Sequence, residues 1–382
     1  MSKNMKLQKM KIVVASDSFK GSLTNREIND LWRDLSDENV EIVPFLVADG
    51  GDGTLDAMIE SKGGEFVSLR VKGPLFDVIS SRYGVFGDCA VISMCEASGL
   101  TLIKEGLGNP LKTTSFGTGE LIKNAVLSGK KKIYITLGGS ATNDCGIGAL
   151  TALGYKFIKK DGSVCKGTGE ELVDIVKIDD GGATDTRGVE FILLSDVTNS
   201  LTGSSGAARV FARQKGATDE QIEFLEKGAL NFGKAVMSKY GVDLNAIVGG
   251  GAAGGMGAGL SAILGAKITS GIETILSLVG FDEQIKDADY VITGEGRIDS
   301  QSKDGKVISG ILKHAGKFRK PVIAIVGCVG DGYEELYGEG LTSVFSIINE
   351  PSDLCGILSR SRKLYAQTAR SVYNLLKSKA NL

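Results

Sequence analysis

The sequence predicts an α/β protein: two α/β domains, mostly parallel sheets flanked by helices, with one domain inserted in the other. Three observations predict it. Short β-branched apolar runs alternate with helix-period segments, a pattern that favours parallel sheets covered by helices. The chain has 382 residues, more than one typical core uses. Glycine is in excess, at 53 residues, about twice the ~7% of average usage. No repeat or low-complexity tract absorbs that excess, and it gathers in polar loops at the ends of apolar runs.

In chain order, residues 11–15 (KIVVA) and 40–45 read as strands around a helix at 24–35. Thr24 with Glu27 three positions on is a capping-box pattern. Residues 77–86 and 89–94 form a candidate antiparallel pair. A helix at 118–128 leads into a strand at 133–137, and a helix at 146–153 follows its loop. Residues 191–195 are a strand and 219–240 a long helix. The small-residue segment 252–264 and residues 270–279 read as helical. The pattern then returns to plain alternation: strand 290–293, helix 306–318, strands 322–326 and 343–348, helix 361–377. The flanks thus resemble one another more than the middle. We expect one domain from residues 1–73 and 287–382, with 74–286 inserted as the second.

Composition narrows the function. The 44 Lys and Arg nearly balance 46 Asp and Glu, which argues against a nucleic-acid or anionic-membrane footprint. No apolar run approaches a membrane span, and the basic residues 1–10 lack the apolar core of a signal peptide. Six scattered cysteines without a CxxC pair, beside a single histidine, disfavour zinc and suit a reducing cytoplasm. Partners should therefore be small molecules, with the chain a monomer or homodimer.

Four glycine-rich polar loops carry the chemistry: VADGGDGT (47–54), LGGSATND (137–144), GGGAAGG (249–255) and ITGEGR (292–297). Glycine lets backbone approach a ligand and takes φ > 0 without a Cβ penalty. In parallel sheets ligands bind beyond the carboxyl ends of strands, where these loops sit. Several such loops in one α/β chain point to an enzyme for a small anionic or phosphorylated substrate. A P-loop is excluded, because no GxxxxGK[ST] occurs.

Each loop has two readings. Gly249, Gly251 and Gly254 spell GxGxxG, and Glu273 stands at the acidic position, but in a helical segment. A tight turn opening a closely packed small-residue helix is the plainer reading. SDSFKGS (16–22) follows a strand and precedes a helix, so Ser18 and Lys20 either meet an anion there or belong to a solvated cap. Asp49 and Asp52 suit an oxygen-coordinated magnesium, or a base with a helper; a capping loop is the alternative. Ser140, Thr142, Asn143 and Asp144 can hold a hydroxy-acid or phosphate, or cap the next helix. Asp196 ends a strand before Val197-Thr198-Asn199 and is a candidate base for an alcohol. Glu295 and Arg297 follow a strand, and Arg297 can clamp phosphate or carboxylate or pair with an acid in its turn. Lys215 is a further basic candidate, with a surface lysine the plainer reading. His314 lies on a lysine-flanked helix, so a histidine-dependent triad is disfavoured.

Together these residues resemble the type 1 glycerate kinase family (glycerate 2-kinase). The carriers are SDSFKGS (16–22), ADGGDGT (48–54), TSFGTGELI (114–122), LGGSATND (137–144), SDVTNSLTG (195–203), QKGA (214–217), GAAGG (251–255) and ITGEGRIDSQS (292–302), eight motifs in order along nearly the whole chain. The resemblance implies a two-domain kinase without a P-loop that phosphorylates D-glycerate from ATP with magnesium, usually at the 2-hydroxyl. On that reading Asp196 is the base or orienter, and Asp49 and Asp52 are metal carboxylates. Lys20 and Arg297 neutralise charge. Ser18, Ser140, Thr142, Asn143, Asp144 and Asn199 hold glycerate. Gly250, Gly251, Gly254, Glu295 and Lys215 border the nucleotide. Four positions depart from the pattern. Asp52 stands for a usual glutamate, Ser200 and Arg213 for usual prolines, and Cys145 for a usual glycine. A nicotinamide-dependent hydroxy-acid dehydrogenase and a non-catalytic hydroxy-acid binding protein are the rival readings.

Overall fold

The computed structural model describes residues 9–19, 21–48, 50–51, 53–303 and 307–380, with side chains through 378. Lys20, Asp49 and Asp52 lie outside the described residues. The chain divides into two compact units, Met1–Asp49 with Ile272–Leu382, and Gly50–Gly271. Among the described residues fifteen strands are numbered in chain order: β1 Met10–Val14, β2 Val40–Pro44, β3 Glu65–Lys72, β4 Val78–Phe86, β5 Cys89–Ser93, β6 Lys132–Thr136, β7 Lys156–Lys159, β8 Ile175–Asp179, β9 Glu190–Leu194, β10 Lys267–Thr269, β11 Tyr290–Thr293, β12 Arg297–Ile298, β13 Val322–Val326, β14 Cys328–Val329 and β15 Leu341–Ser346.

The first unit holds a five-stranded sheet in the order β15-β13-β11-β1-β2. Every neighbouring pair in it is parallel. The two-residue period of a strand sends alternate side chains to opposite faces, and both faces are apolar. Ile12, Val14, Ile292, Ile323 and Ile325 join one core with Trp32 and Tyr365. Val13, Val291, Val322, Ala324 and Val326 join the other with Phe281, Ile308 and Ile311. Helices therefore cover both sides, as continuous apolar strands require. Helix Asn25–Arg33 starts at the expected capping box: Thr24 Oγ1 accepts from Glu27 N, and the Glu27 carboxylate accepts from Thr24 N. The last helix, Leu354–Ala380, begins seven residues before the expected 361.

The second unit holds a six-stranded sheet, β10-β9-β6-β5-β4-β3. Strands β10, β9, β6 and β5 are parallel. β4 and β3 extend the sheet antiparallel, with β4 and β5 matching the expected pair. A core from Tyr83, Ile133, Ile135, Phe157, Leu193, Phe232 and Met256 fills this unit. The boundaries fall at 49/50 and 271/272 rather than at 73/74 and 286/287. β3 pairs along all eight of its residues with β4, which ties residues 65–72 to the second sheet. Ile272 and Leu276 pack in the core of the first unit. Among the described residues no helix is long and apolar enough to cross a membrane.

In the first unit Trp32 Nε1 donates to the Tyr365 hydroxyl at 3.1 Å, with both side chains fully buried. Tyr365→Phe leaves that donor without its acceptor and should cost about 1–3 kcal/mol. Urea unfolding should show a lower midpoint at an unchanged slope.

Candidate active site

The second unit builds its part of the site from loops at the carboxyl ends of β6 and β9. The loop after β6 is held from inside by Asp144. Its buried carboxylate accepts from Ser115 N at 2.8 Å, Ser115 Oγ at 2.7 Å, Gly146 N at 3.0 Å and Gly148 N at 3.3 Å. Burial pushes its pKa up, and these donors oppose that rise. Asp144 is thus an internal tie of the loop, with four protein donors on its carboxylate. Ser115, inside the TSFGTGELI motif, escaped the sequence reading; the pairing of two distant loops carries no local signal.

Lys215 is the second tie. Its buried ammonium donates to Ser140 Oγ at 2.9 Å and to the Thr142 carbonyl at 2.7 Å. Burial lowers its pKa from the ordinary 10.5 to about 8, with Asp144 pulling the other way. An ammonium has three donors, so two bonds leave one N–H over. The bond from Lys215 uses Ser140 only as acceptor, so the Ser140 hydroxyl proton is not spent in it. Thr142 and Asn143 are buried, and neither Thr142 Oγ1 nor Asn143 Oδ1 has a hydrogen-bond partner among the described residues.

The loop after β9 carries Asp196, half-buried, whose Oδ1 accepts from Gly271 N at 3.2 Å. Asn199 Nδ2 donates to the Ser205 carbonyl at 2.8 Å. The 249–255 loop packs on this one, backbone against backbone. Gly249 N donates to Thr198 O, Gly250 N to Ile247 O, and Gly251 N to Asn199 O. A Cβ on Gly251 would stand 2.3 Å from Ser200 O. Gly254 has φ +64° and a Cβ there would meet Thr142 O at 2.1 Å. At the expected nucleotide-bordering glycines, Gly250, Gly251 and Gly254, the structure shows close packing of protein backbone. Gly250 and Gly251 have donated their N–H groups, and the small size of Gly251 and Gly254 is used by protein backbone. Helix Ala252–Leu264 is itself interrupted, with Ala253, Gly254 and Gly255 left-handed.

The departures from the family pattern have local accounts. Cys145 is buried and keeps the positive φ, 52°, that a glycine there would adopt freely. Ser200 Oγ closes its turn onto the Thr202 carbonyl at 2.8 Å, where a proline would stiffen it covalently. Arg213 pairs with Asp219 at the surface.

In the first unit three loops gather at the carboxyl ends of β1, β11 and β13. Asp17 N donates to Gly294 O, Gly327 N to Glu295 O and Cys328 N to Gly296 O. Gly294 lets β11 and β13 end in contact, since a Cβ would fall 1.9 Å from Ile325 O. Glu295 is buried and accepts from Ser302 Oγ, so it serves the turn. Arg297 pairs with Asp299 at 3.1 Å, not with Glu295, and its side chain stays 64% exposed. Ser18, Glu295 and Arg297 line one cavity of about 400 Å³.

The structure thus gathers Ser140, Thr142, Asn143, Asp144 and Lys215 in one cluster of the second unit. The loops of Asn199 and Gly250–Gly254 pack around it. Ser18, Glu295 and Arg297 meet in the first unit. Among the described residues no three His, Cys, Asp or Glu side chains cluster as a metal site. His314 is a structural tie, buried between Asp282 at Nδ1 and Glu273 at Nε2.

A family model described as the glycerate kinase family matches residues 12–377. The chain belongs to the glycerate kinase family. A glycerate 2-kinase of Escherichia coli K12 is 42% identical over 89% of this chain and 91% of its own. A glycerate kinase of Haemophilus influenzae is 40% identical over 96% and 99%. A solved chain from Salmonella typhimurium LT2, provisionally described as a glycerate kinase 2, superposes with TM-score 0.86 at 40% identity, covering 98% of this chain and all of that one. Membership of the glycerate kinase family agrees with the α/β architecture and with loops in place of a P-loop.

Two outcomes follow from the loop cluster. Gly254→Ala forces a left-handed alanine against the Thr142 carbonyl and should cost about 2–4 kcal/mol, seen as a lower urea midpoint. For Lys215, the unfolded chain holds its proton up to about 10.5 and the folded chain only to about 8. Between those values the unfolded state binds more protons, so stability rises with pH. Wild type should therefore gain on Lys215→Met between pH 7 and pH 9.5, measured as the difference in unfolding free energy.

Proposed function

We propose that this chain transfers the γ-phosphoryl group of ATP to D-glycerate, at the 2-hydroxyl in preference to the 3-hydroxyl, releasing ADP. The observation that carries the reading is the end-to-end family match, residues 12–377. Phosphoryl transfer asks a protein for positioning and charge neutralisation more than for covalent chemistry, and the loop clusters suit that task.

Asp196 is the group we assign to the substrate alcohol. Its carboxylate ends a buried strand, and the one histidine is engaged by two acids. Asp196 would take the hydroxyl proton as the alcohol oxygen bonds to phosphorus and the bond to the ADP oxygen breaks. Ser140, Thr142, Asn143 and Asn199 are the proposed glycerate contacts. Lys215 supports that set by holding Ser140 and the Thr142 carbonyl. Lys20 and Arg297 are the proposed cations for phosphate or carboxylate.

Magnesium typically keeps several waters and takes one or two carboxylates beside substrate phosphates. Asp49 and Asp52 are the carboxylates we propose for it. The ion would supply neutralisation of polyphosphate charge. Use of ATP, with all six cysteines free, supports a cytoplasmic location. The nicotinamide reading loses its footing, since the glycines it needs are filled by backbone.

The test is ADP release with ATP, magnesium and D-glycerate, with the product hydroxyl read by phosphorus NMR. Release that ignores glycerate would overturn the proposal. Asp196→Asn keeps the shape but loses the base, and kcat should fall about 10²–10⁴-fold with KM for glycerate near wild type. Retention of more than roughly a tenth of kcat, judged against the same range, would move the role to Asp49.

A further inference from the structure

The last helix, Leu354–Ala380, carries an apolar stripe at the period of an α-helix. From Leu364 onward the stripe is buried, through Tyr365, Ala369, Val372, Tyr373 and Leu376 in the core of the first unit. Its first turns run past that core. Leu354 is 69% exposed and Leu358 38% exposed, and with Ile357 and Ser361 they line the cavity already described. Phe19 and Ile347, both core residues, line it too, and Ile348 at 36% exposure joins the three helix residues. Phe19 is held edge-on by Tyr365 at 5.6 Å, and Tyr365 is held by Trp32, so this part of the lining is fixed.

Polar groups stand on the same cavity: the acids Asp17 and Glu295, the hydroxyls of Ser18, Ser22 and Ser361, and the exposed Arg297, with the glycine backbone at 296 and 327. It lies at the carboxyl ends of β1, β11 and β13, where parallel sheets bind ligands. A cavity of about 400 Å³ whose lining is mostly apolar and also carries polar and charged groups suits a ligand with a flat apolar body and a charged end. Of the two substrates of the proposed reaction, only one has that shape. Glycerate carries oxygen on every carbon and has no apolar face to offer five aliphatic side chains.

We infer that this cavity of the first unit is the nucleobase site for ATP, with the adenine ring against Phe19, Ile347, Ile357 and Leu358 and the phosphates on the side of Arg297. The assignment rests on the kinase reading above for its choice of ligand. It replaces the glycines at 250, 251 and 254 as the nucleotide-binding element. The resemblance of loops could not reveal it, because apart from Phe19 its apolar wall comes from Ile347, Ile348 and the first turns of the last helix, which carry none of the motifs.

The probe is mant-ADP, followed by fluorescence on the full-length protein. Leu358→Asp places an acid on the apolar wall at a partly exposed position, so folding should persist. Its dissociation constant for mant-ADP should rise about tenfold or more, close to 1.4 kcal/mol per decade. KM for ATP should rise alongside it, while KM for D-glycerate stays put. Leu375→Asp, an exposed leucine further along the same helix, should change neither and controls for added charge. If Leu358→Asp fails to fold, Leu354→Asp makes the same test at a more exposed site. Unchanged mant-ADP affinity in a folded variant overturns the assignment, as does a rise in KM confined to glycerate. The two readings fail separately. Wild type that releases no ADP with glycerate ends the kinase reading, while loss of mant-ADP in Leu358→Asp would still identify a nucleotide cavity.

Discussion

Close backbone packing is the constraint on which the second unit's chemistry depends. Three loops leave the ends of β6 and β9 and the start of helix Ala252–Leu264, and they touch main chain to main chain. Gly251 admits the Ser200 carbonyl, Gly254 the Thr142 carbonyl, and Gly138 the backbone of Gly51. Such contact leaves no side chains to hold the loops in register. Two buried charges do that work: Asp144 gathers four donors from two segments, and Lys215 spans Ser140 and Thr142. A buried charge is costly unless it is well bonded, so both ties hold one arrangement strongly. A rigid loop set of this kind is what positioning catalysis needs.

The first unit solves a different problem. Its sheet is covered on both faces, and its carboxyl edge is left to carry short loops. The chain of contacts from Trp32 through Tyr365 to Phe19 links the core to the cavity wall. Stability and ligand recognition therefore share side chains here, whereas in the second unit they share backbone.

The parts of the fold legible in the sequence were those with a strong local period. All nine expected strands exist, each paired in one of the two large sheets, and the capping box at Thr24 formed as written. β3 was not legible. Its residues alternate with little burial, and Phe66 is covered by the Arg82 guanidinium at 4.4 Å rather than by a core. The β7–β8 pair and the two-residue strands β12 and β14 were too short to announce themselves. The site was legible as motifs and not as roles. Ser140 and Lys215 do meet, although 75 positions separate them. Asp144 and Glu295 turned inward, since a carboxylate beside free N–H or O–H groups bonds them wherever the chain brings them together. The glycines at 249–254 spelled a ligand loop, and their use as spacers between backbones depends on which carbonyl lies opposite.

The discontinuous sheet also sets an order on how the molecule can come into being. β1 lies inside its sheet between β2 and β11, and Lys11 meets Asp289 across 278 positions of sequence. At a synthesis rate of about 5–20 residues per second, β1 waits roughly 14–56 s for that neighbour to be made. The continuous segment from Gly50 to Gly271 emerges entirely within the interval. It can close its own core while β1 and β2 form only a parallel ribbon of two strands, too small to stand alone. The nascent chain therefore carries an unfinished apolar edge at β1 until β11 has been made. The first unit is completed only as its final helix leaves the ribosome, because Trp32 and Phe19 lack their Tyr365 partner until then.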